Sequence, residues 1–165
     1  MLPIVFHPAT IAAGLAGAGE ALARRQAMLA QSGVTPRPVA PDAPLSGLTV
    51  LFVAGLEESA SAALAGRARE SGIPVNVEDR PELCDFHVPA ALRRGELLFT
   101  VSTGGRAPGL SRLLREWLES RFDTQWSNHL DTLSRARADW RANGLPPPDI
   151  SRKTRELVAE QGWLS

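Results

Sequence analysis

Apolar residues follow two rhythms along this chain. LTVLFVA (48–54) is a continuous β-branched and apolar run, the mark of a strand buried on both faces of a parallel sheet. Thr10 to Ala16 (TIAAGLA) is a shorter run of small apolar residues ending at Gly17-Ala18-Gly19, and EALARRQAMLAQS after it has helical composition up to Gly33. That order predicts strand, glycine turn, helix. EESASAALAGRARES (57–71) predicts a second helix closed by Gly72, and IPVNV (73–77) the next strand. Residues 34–40 (VTPRPVA) read as a strand that Pro36 and Pro38 confine to a sheet edge. The alternation predicts an α/β domain built on a parallel sheet.

After Pro81 the pattern changes. ELLFTVS (96–102) predicts a strand, followed by Gly104-Gly105 and a helix opened by Pro108. In that helix Leu110, Leu113, Leu114, Trp117 and Leu118 fall at i, i+3, i+4, i+7 and i+8, an apolar stripe that must bury against something. A further helix is predicted over 122–142, with Trp126, Leu130, Leu133 and Trp140; NGLPPPD breaks it, and Ser151 is expected to cap a last helix running to about Gln161. Between Val39 and Leu48 lies only APDAPLSG. A parallel crossover usually takes a dozen residues or more, so a strand and helix are missing and the sheet is expected to be small.

Composition narrows the function. The chain has 165 residues and 44% hydrophobic content, enough for one domain or one and a half. Lys+Arg and Asp+Glu both number 18, which removes a global basic field for nucleic acid and an acidic disordered tail. Lys153 is the only lysine, so a bound carboxylate would meet planar arginine forks. Cys84 stands alone, excluding a disulfide within the chain and pointing to a reducing compartment. The first arginine is Arg24, so the apolar N-terminus lacks the basic start of a signal peptide, and no apolar run approaches the roughly 20 residues of a membrane helix. A cytoplasmic protein is expected. Cys84-Asp85-Phe86-His87 has no second ligand cluster at zinc spacing, and no metal site is assigned.

Gly17-Ala18-Gly19 opens like a dinucleotide fingerprint, the first glycine making the tight turn and the second letting a pyrophosphate approach the helix N-terminus. Leu22 occupies the third small position, and Asp42, a little over twenty residues on, stands where a ribose-binding acid is expected. Plain turn chemistry and a solvated acid in a Pro-rich loop account for the same residues, and both readings stay open.

Taken in order, GAGEALARRQAML, VNVEDRPELCDFHVPA and RRGELLFTVSTGGRAPGLSRLLREWLE resemble the precorrin-2 dehydrogenase/sirohydrochlorin ferrochelatase family, the dehydrogenase-chelatase part of sirohaem synthase. The similarity spans residues 2 to 122 and is densest from Ile73 to Glu119. It implies an enzyme that oxidises precorrin-2 to sirohydrochlorin with NAD, bifunctional members then inserting Fe2+ as a substrate ion. The implied architecture is a reduced Rossmann-like sheet (1–88), a dimerisation segment (89–121) and a small helical C-terminal region (122–165), in a homodimer with a tetrapyrrole substrate and no nucleic-acid or membrane partner. By this resemblance Asp79 is the catalytic residue. Gly17, Gly19, Glu20, Ala21, Pro41 and Asp42 fall on cofactor-binding positions, and Asn76, Ser102, Thr103, Gly104 and Arg106 on substrate-binding ones.

The chemistry suits these residue types. Taking a hydride from the macrocycle must be matched by loss of a proton, which a carboxylate at Asp79 can accept. Residues 91–121 hold Arg93, Arg94, Arg106, Arg112, Arg115 and Arg121 against Glu96, Glu116 and Glu119, a surplus suited to a polycarboxylate. Arg106, in the turn, is the better substrate ligand, and Arg112 and Arg115 read as a solvated helix face. The departures from the family all lie on the nucleotide side: the third small residue, the segment between Pro41 and Leu48, and VAGLEESASAAL where members carry an acid-rich turn. A second reading therefore stands beside the first: a nucleotide-independent descendant serving as a tetrapyrrole-binding, metal-delivery or dimerisation module.

Overall fold

The computed structural model describes residues 2–164. The chain divides into two compact units, Met1–Val88 with Gly104–Arg106, and Pro89–Thr103 with Ala107–Ser165.

The first unit runs β1 (Ala13–Gly17), α1 (Gly19–Gln31), β2 (Arg37–Pro38), β3 (Val50–Ala54), α2 (Glu58–Glu70), β4 (Val75–Val77). Its four strands are all parallel, in the order β2-β1-β3-β4, so the chain leaves β1 to one side and returns on the other. Period-two alternation sorts the sheet's side chains between two cores. Ala13, Leu15, Val50 and Phe52 pack with Leu22, Met28 and Leu29 of α1. Ala16, Leu51, Val53, Val75 and Val77 pack with Leu64, Ala65 and Ala68 of α2. All five residues of β3 are buried, as a run without polar positions requires. The two-residue β2 sits at the edge, where its proline costs no ladder bond. At the other edge Asp85 takes the place of a neighbouring strand: its N–H donates to the Val75 carbonyl at 2.8 Å, and its Oδ2 accepts the Val75 N–H at 3.0 Å.

The second unit opens with an antiparallel hairpin, β5 (Ala90–Arg94) and β6 (Leu97–Val101), followed by α3 (Pro108–Arg121), α4 (Trp126–Ala142) and α5 (Pro147–Glu160). Phe99, Phe122, Trp126, His129 and Trp163 form a continuous chain of ring contacts through it.

Four sequence expectations are corrected. β1 begins three residues later than Thr10. β5 was not anticipated, because AALRR carries no β-branched or aromatic residue and gains strand geometry by pairing with β6. The last helix begins at Pro147, since proline is tolerated in a first turn, and Ser151 lies inside it rather than capping it. The stripe on α3 stands largely open: Leu110, Leu113, Leu114 and Trp117 are 49%, 64%, 41% and 55% exposed, while Leu118 is half-buried. Ser111 is instead the buried residue of α3.

Candidate functional site

Parallel α/β sheets bind ligands at the carboxyl ends of the strands where the strand order reverses. Here that point is the gap between β1 and β3, and the turns leaving the two strands interlock. Gly17 packs so close that a Cβ would lie 1.9 Å from the Ala54 carbonyl oxygen. Gly55, with φ 71°, would place one 2.3 Å from the Ala18 oxygen. The Ala18 N–H closes the junction by donating to Ala54 O at 3.1 Å. Gly19 turns the other way: with φ 62°, its added Cβ would meet nothing within 4 Å. The start of α1 therefore faces open space with no side-chain cap on its free N–H groups. Glu20 is exposed and pairs with Arg24 at 3.8 Å, while Ala21 is half-buried against the Gly55 turn. Leu22, in the third fingerprint position, packs into the α1 core.

At the tip of β4 three consecutive charged residues are treated differently. Glu78 is tied to α1, 3.8 Å from Arg25 and 4.0 Å from Arg24. Arg80 is tied to α2 through Glu58 at 3.1 Å. Asp79 between them is exposed, with no hydrogen bond or ion pair among the described residues, and its φ of 60° makes it the single left-handed non-glycine residue among them. Arg25 is the anchor of this turn. Its side chain is 11% exposed and its guanidinium lies 5.7 Å above the Phe52 ring. Burial lowers the Arg25 pKa from the ordinary arginine value, and the charge of Glu78 acts against that shift.

Pro41 and Asp42 lie in the loop leaving β2, the strand beside β1, at this same end of the sheet. Asn76 is not on that surface: it is 6% exposed, and its Nδ2 donates to the Phe86 carbonyl at 2.9 Å. It is a strut for the 84–86 turn here, and its Oδ1 is buried without a partner. Cys84 is structural too, its sulfur accepting the Val77 N–H at 3.2 Å and its thiol facing the Val77 carbonyl at 3.1 Å. Gly104, Gly105 and Arg106 belong to the first unit, Gly105 facing His87, and Arg106 is exposed with no hydrogen bond or ion pair among the described residues.

In the second unit Ser102 is exposed. Thr103 is engaged within its turn, Oγ1 accepting the Ala107 N–H at 3.2 Å and lying 3.2 Å from Ser111 Oγ. Most of the expected arginine surplus is also spent locally. Arg94 donates to the Phe122 carbonyl at 2.7 Å, Arg112 and Arg115 pair with Glu116 and Glu119 at 2.9 and 2.8 Å, and Arg121 covers the Trp117 ring. Arg93 and Arg106 keep their charge unpaired among the described residues.

Sequence reasoning passed over Gly55, Arg25 and Glu78. A glycine directly after a buried strand run was the available signal for the first. For Arg25 it was a cation at i+3 from Leu22 and i−4 from Leu29, on the buried stripe of α1.

Residues 6–90, half of the chain, match the family described as "Putative NAD(P)-binding". Over 160 residues, 83% of the chain, it is 31% identical to the siroheme synthase of Pseudomonas fluorescens. The chain belongs to the precorrin-2 dehydrogenase/sirohydrochlorin ferrochelatase family. A second member, the siroheme synthase of Methylococcus capsulatus, is 39% identical over 117 residues, 69% of the chain. The chain spans 34% and 24% of the length of these two relatives. Among solved structures, SirC, precorrin-2 dehydrogenase, superposes with a TM-score of 0.74 over 99% of this chain and 93% of its own, at 19% identity. That likeness establishes the Rossmann-like α/β fold.

Proposed function

We propose that this chain is the NAD-dependent dehydrogenase of sirohaem biosynthesis, oxidising precorrin-2 to sirohydrochlorin. The observation that carries the reading is Asp79: a carboxylate held in left-handed backbone at the end of β4, at the same carboxyl end of the sheet as the open glycine turn. Non-glycine residues in this conformation cost on the order of 1 kcal/mol and persist where the surroundings over-determine them. The surroundings here are the Glu78 and Arg80 ion pairs to two different helices. They hold the turn rigid and leave the middle carboxylate free for a substrate.

The reaction removes one hydride and one proton from the macrocycle. The hydride acceptor would be NAD, when bound. Asp79 accepts the proton released from the ring, and solvent later recovers it. Gly19 and the uncapped N–H groups at the start of α1 would hold the NAD pyrophosphate, a site with room because an added Cβ at Gly19 meets nothing within 4 Å. Arg106 meets one of the substrate's carboxylates as a charge-assisted pair.

A second copy of the chain completes the second unit in this reading. Leu113 and Trp117, 64% and 55% exposed on α3, are what a helix shows when its covering surface belongs to another molecule. Titration of the purified chain with NAD, followed by turnover of precorrin-2, tests the reading. Saturable binding with NADH formation supports it, and absence of NAD binding favours the nucleotide-independent descendant.

A further inference from the structure

The connection between β2 and β3 lacks the strand and helix that usually fill this crossover, and side chains do their work. Leu45, 4% exposed, sits in the core with Leu64, Ala65 and Ala68 of α2, and Ala43 and Leu48 pack against the same cluster. Two arginines then hold the main chain. Arg37 donates from Nη2 to the carbonyls of Pro44 and Ser46 at 3.1 and 3.3 Å. Arg67, on α2, donates from Nη1 to the Pro41 carbonyl and from Nη2 to the Ala43 carbonyl at 2.7 Å. A single rigid fork thus grips the backbone on both sides of Asp42. Asp42 itself is exposed, with no hydrogen bond or ion pair among the described residues.

An acid in the loop after the second strand of a dinucleotide-binding sheet accepts the ribose 2′-hydroxyl, and its charge opposes a 2′-phosphate. It can do so only from a fixed position. In a loop with no strand or helix of its own, the fork supplies that position. We propose that Arg67 is the positioning residue that sets cofactor selectivity, holding the Pro41–Ala43 backbone so that Asp42 admits NAD and refuses NADP. This rests on the reading that the carboxyl end of the sheet holds a dinucleotide.

Calorimetric titration of the full chain with NAD and with NADP, for wild type, Asp42→Asn, Arg67→Ala and the double variant, tests it. Wild type is expected to favour NAD by about tenfold or more, a factor worth about 1.4 kcal/mol. Asp42→Asn and Arg67→Ala each collapse that ratio, and the double variant falls no further than Asp42→Asn alone, because Arg67 acts through Asp42. Thermal unfolding checks that each variant folds. Should Arg67→Ala fail that check, Arg67→Lys keeps the charge but loses the fork and must show the same collapse. A ratio unmoved by Arg67 substitution, or losses that multiply in the double variant, overturns the proposal while leaving the dehydrogenase reading intact. Wild type that binds neither nucleotide removes both, and shows this before any variant is made.

Discussion

β3 and α3 show two ways of treating an apolar sequence. β3 buries all five of its residues between two helices of its own unit. α3 carries as strong an apolar pattern and leaves Leu110, Leu113, Leu114 and Trp117 between 41% and 64% exposed. The same hydrophobic rule acts on both, at about 25 cal/mol for each Å² removed from water. The difference is whether an element's own unit supplies its covering surface. The first unit closes its core by itself and caps its open strand edge with Asp85. The second leaves four large apolar side chains of α3 open to solvent.

Substitutions can break or sharpen this contrast. The largest effect is expected from Gly17→Ala, whose Cβ would stand 1.9 Å from a backbone oxygen. A clash of that kind is expected to cost about 3 kcal/mol or more, and denaturant unfolding would show it as a large fall in the midpoint. An unchanged midpoint would mean that the β1 and β3 turns are not locked together. Next is Asp85→Ala, which strips an acceptor from the Val75 N–H and from Arg69, 2.8 Å away. A loss of about 1–3 kcal/mol is expected by the same measurement. Leu113→Glu should behave oppositely, moving stability of the isolated chain by less than about 0.5 kcal/mol while shifting sedimentation of the proposed dimer to that of a monomer. Dimers that survive would place the subunit contact elsewhere. A gain and not a loss is expected from Asp79→Gly, which relieves the left-handed backbone and should raise the unfolding midpoint by the equivalent of up to about 1 kcal/mol. An unchanged or lowered midpoint would mean that the left-handed backbone at Asp79 carries no strain.

Much of the first unit was legible because its signals are local. The buried run before Ala54, the glycine turn after β1, the prolines of β2 and the short connection to β3 each fix one element without reference to the rest. The second unit was less legible because its hairpin depends on pairing, and Ala90–Arg94 has no strand composition of its own. The candidate site was legible in residue identity but not in arrangement. The pattern around VNVEDR marks Asp79, yet nothing in those letters shows that Glu78 and Arg80 are drawn to opposite helices while Asp79 is left free. Asn76 shows the converse: its place in the motif suggests a ligand, and its burial beneath Phe86 makes it a strut. Arg67 was invisible for a third reason, since its partners are backbone carbonyls, which carry no sequence signal.

The most direct test of the account is NADH formation from precorrin-2 by wild type and by Asp79→Asn, with NAD affinity measured alongside. A base removed from its reaction should lower the rate by about a hundredfold or more with NAD binding retained. Equal rates in the two proteins would contradict it.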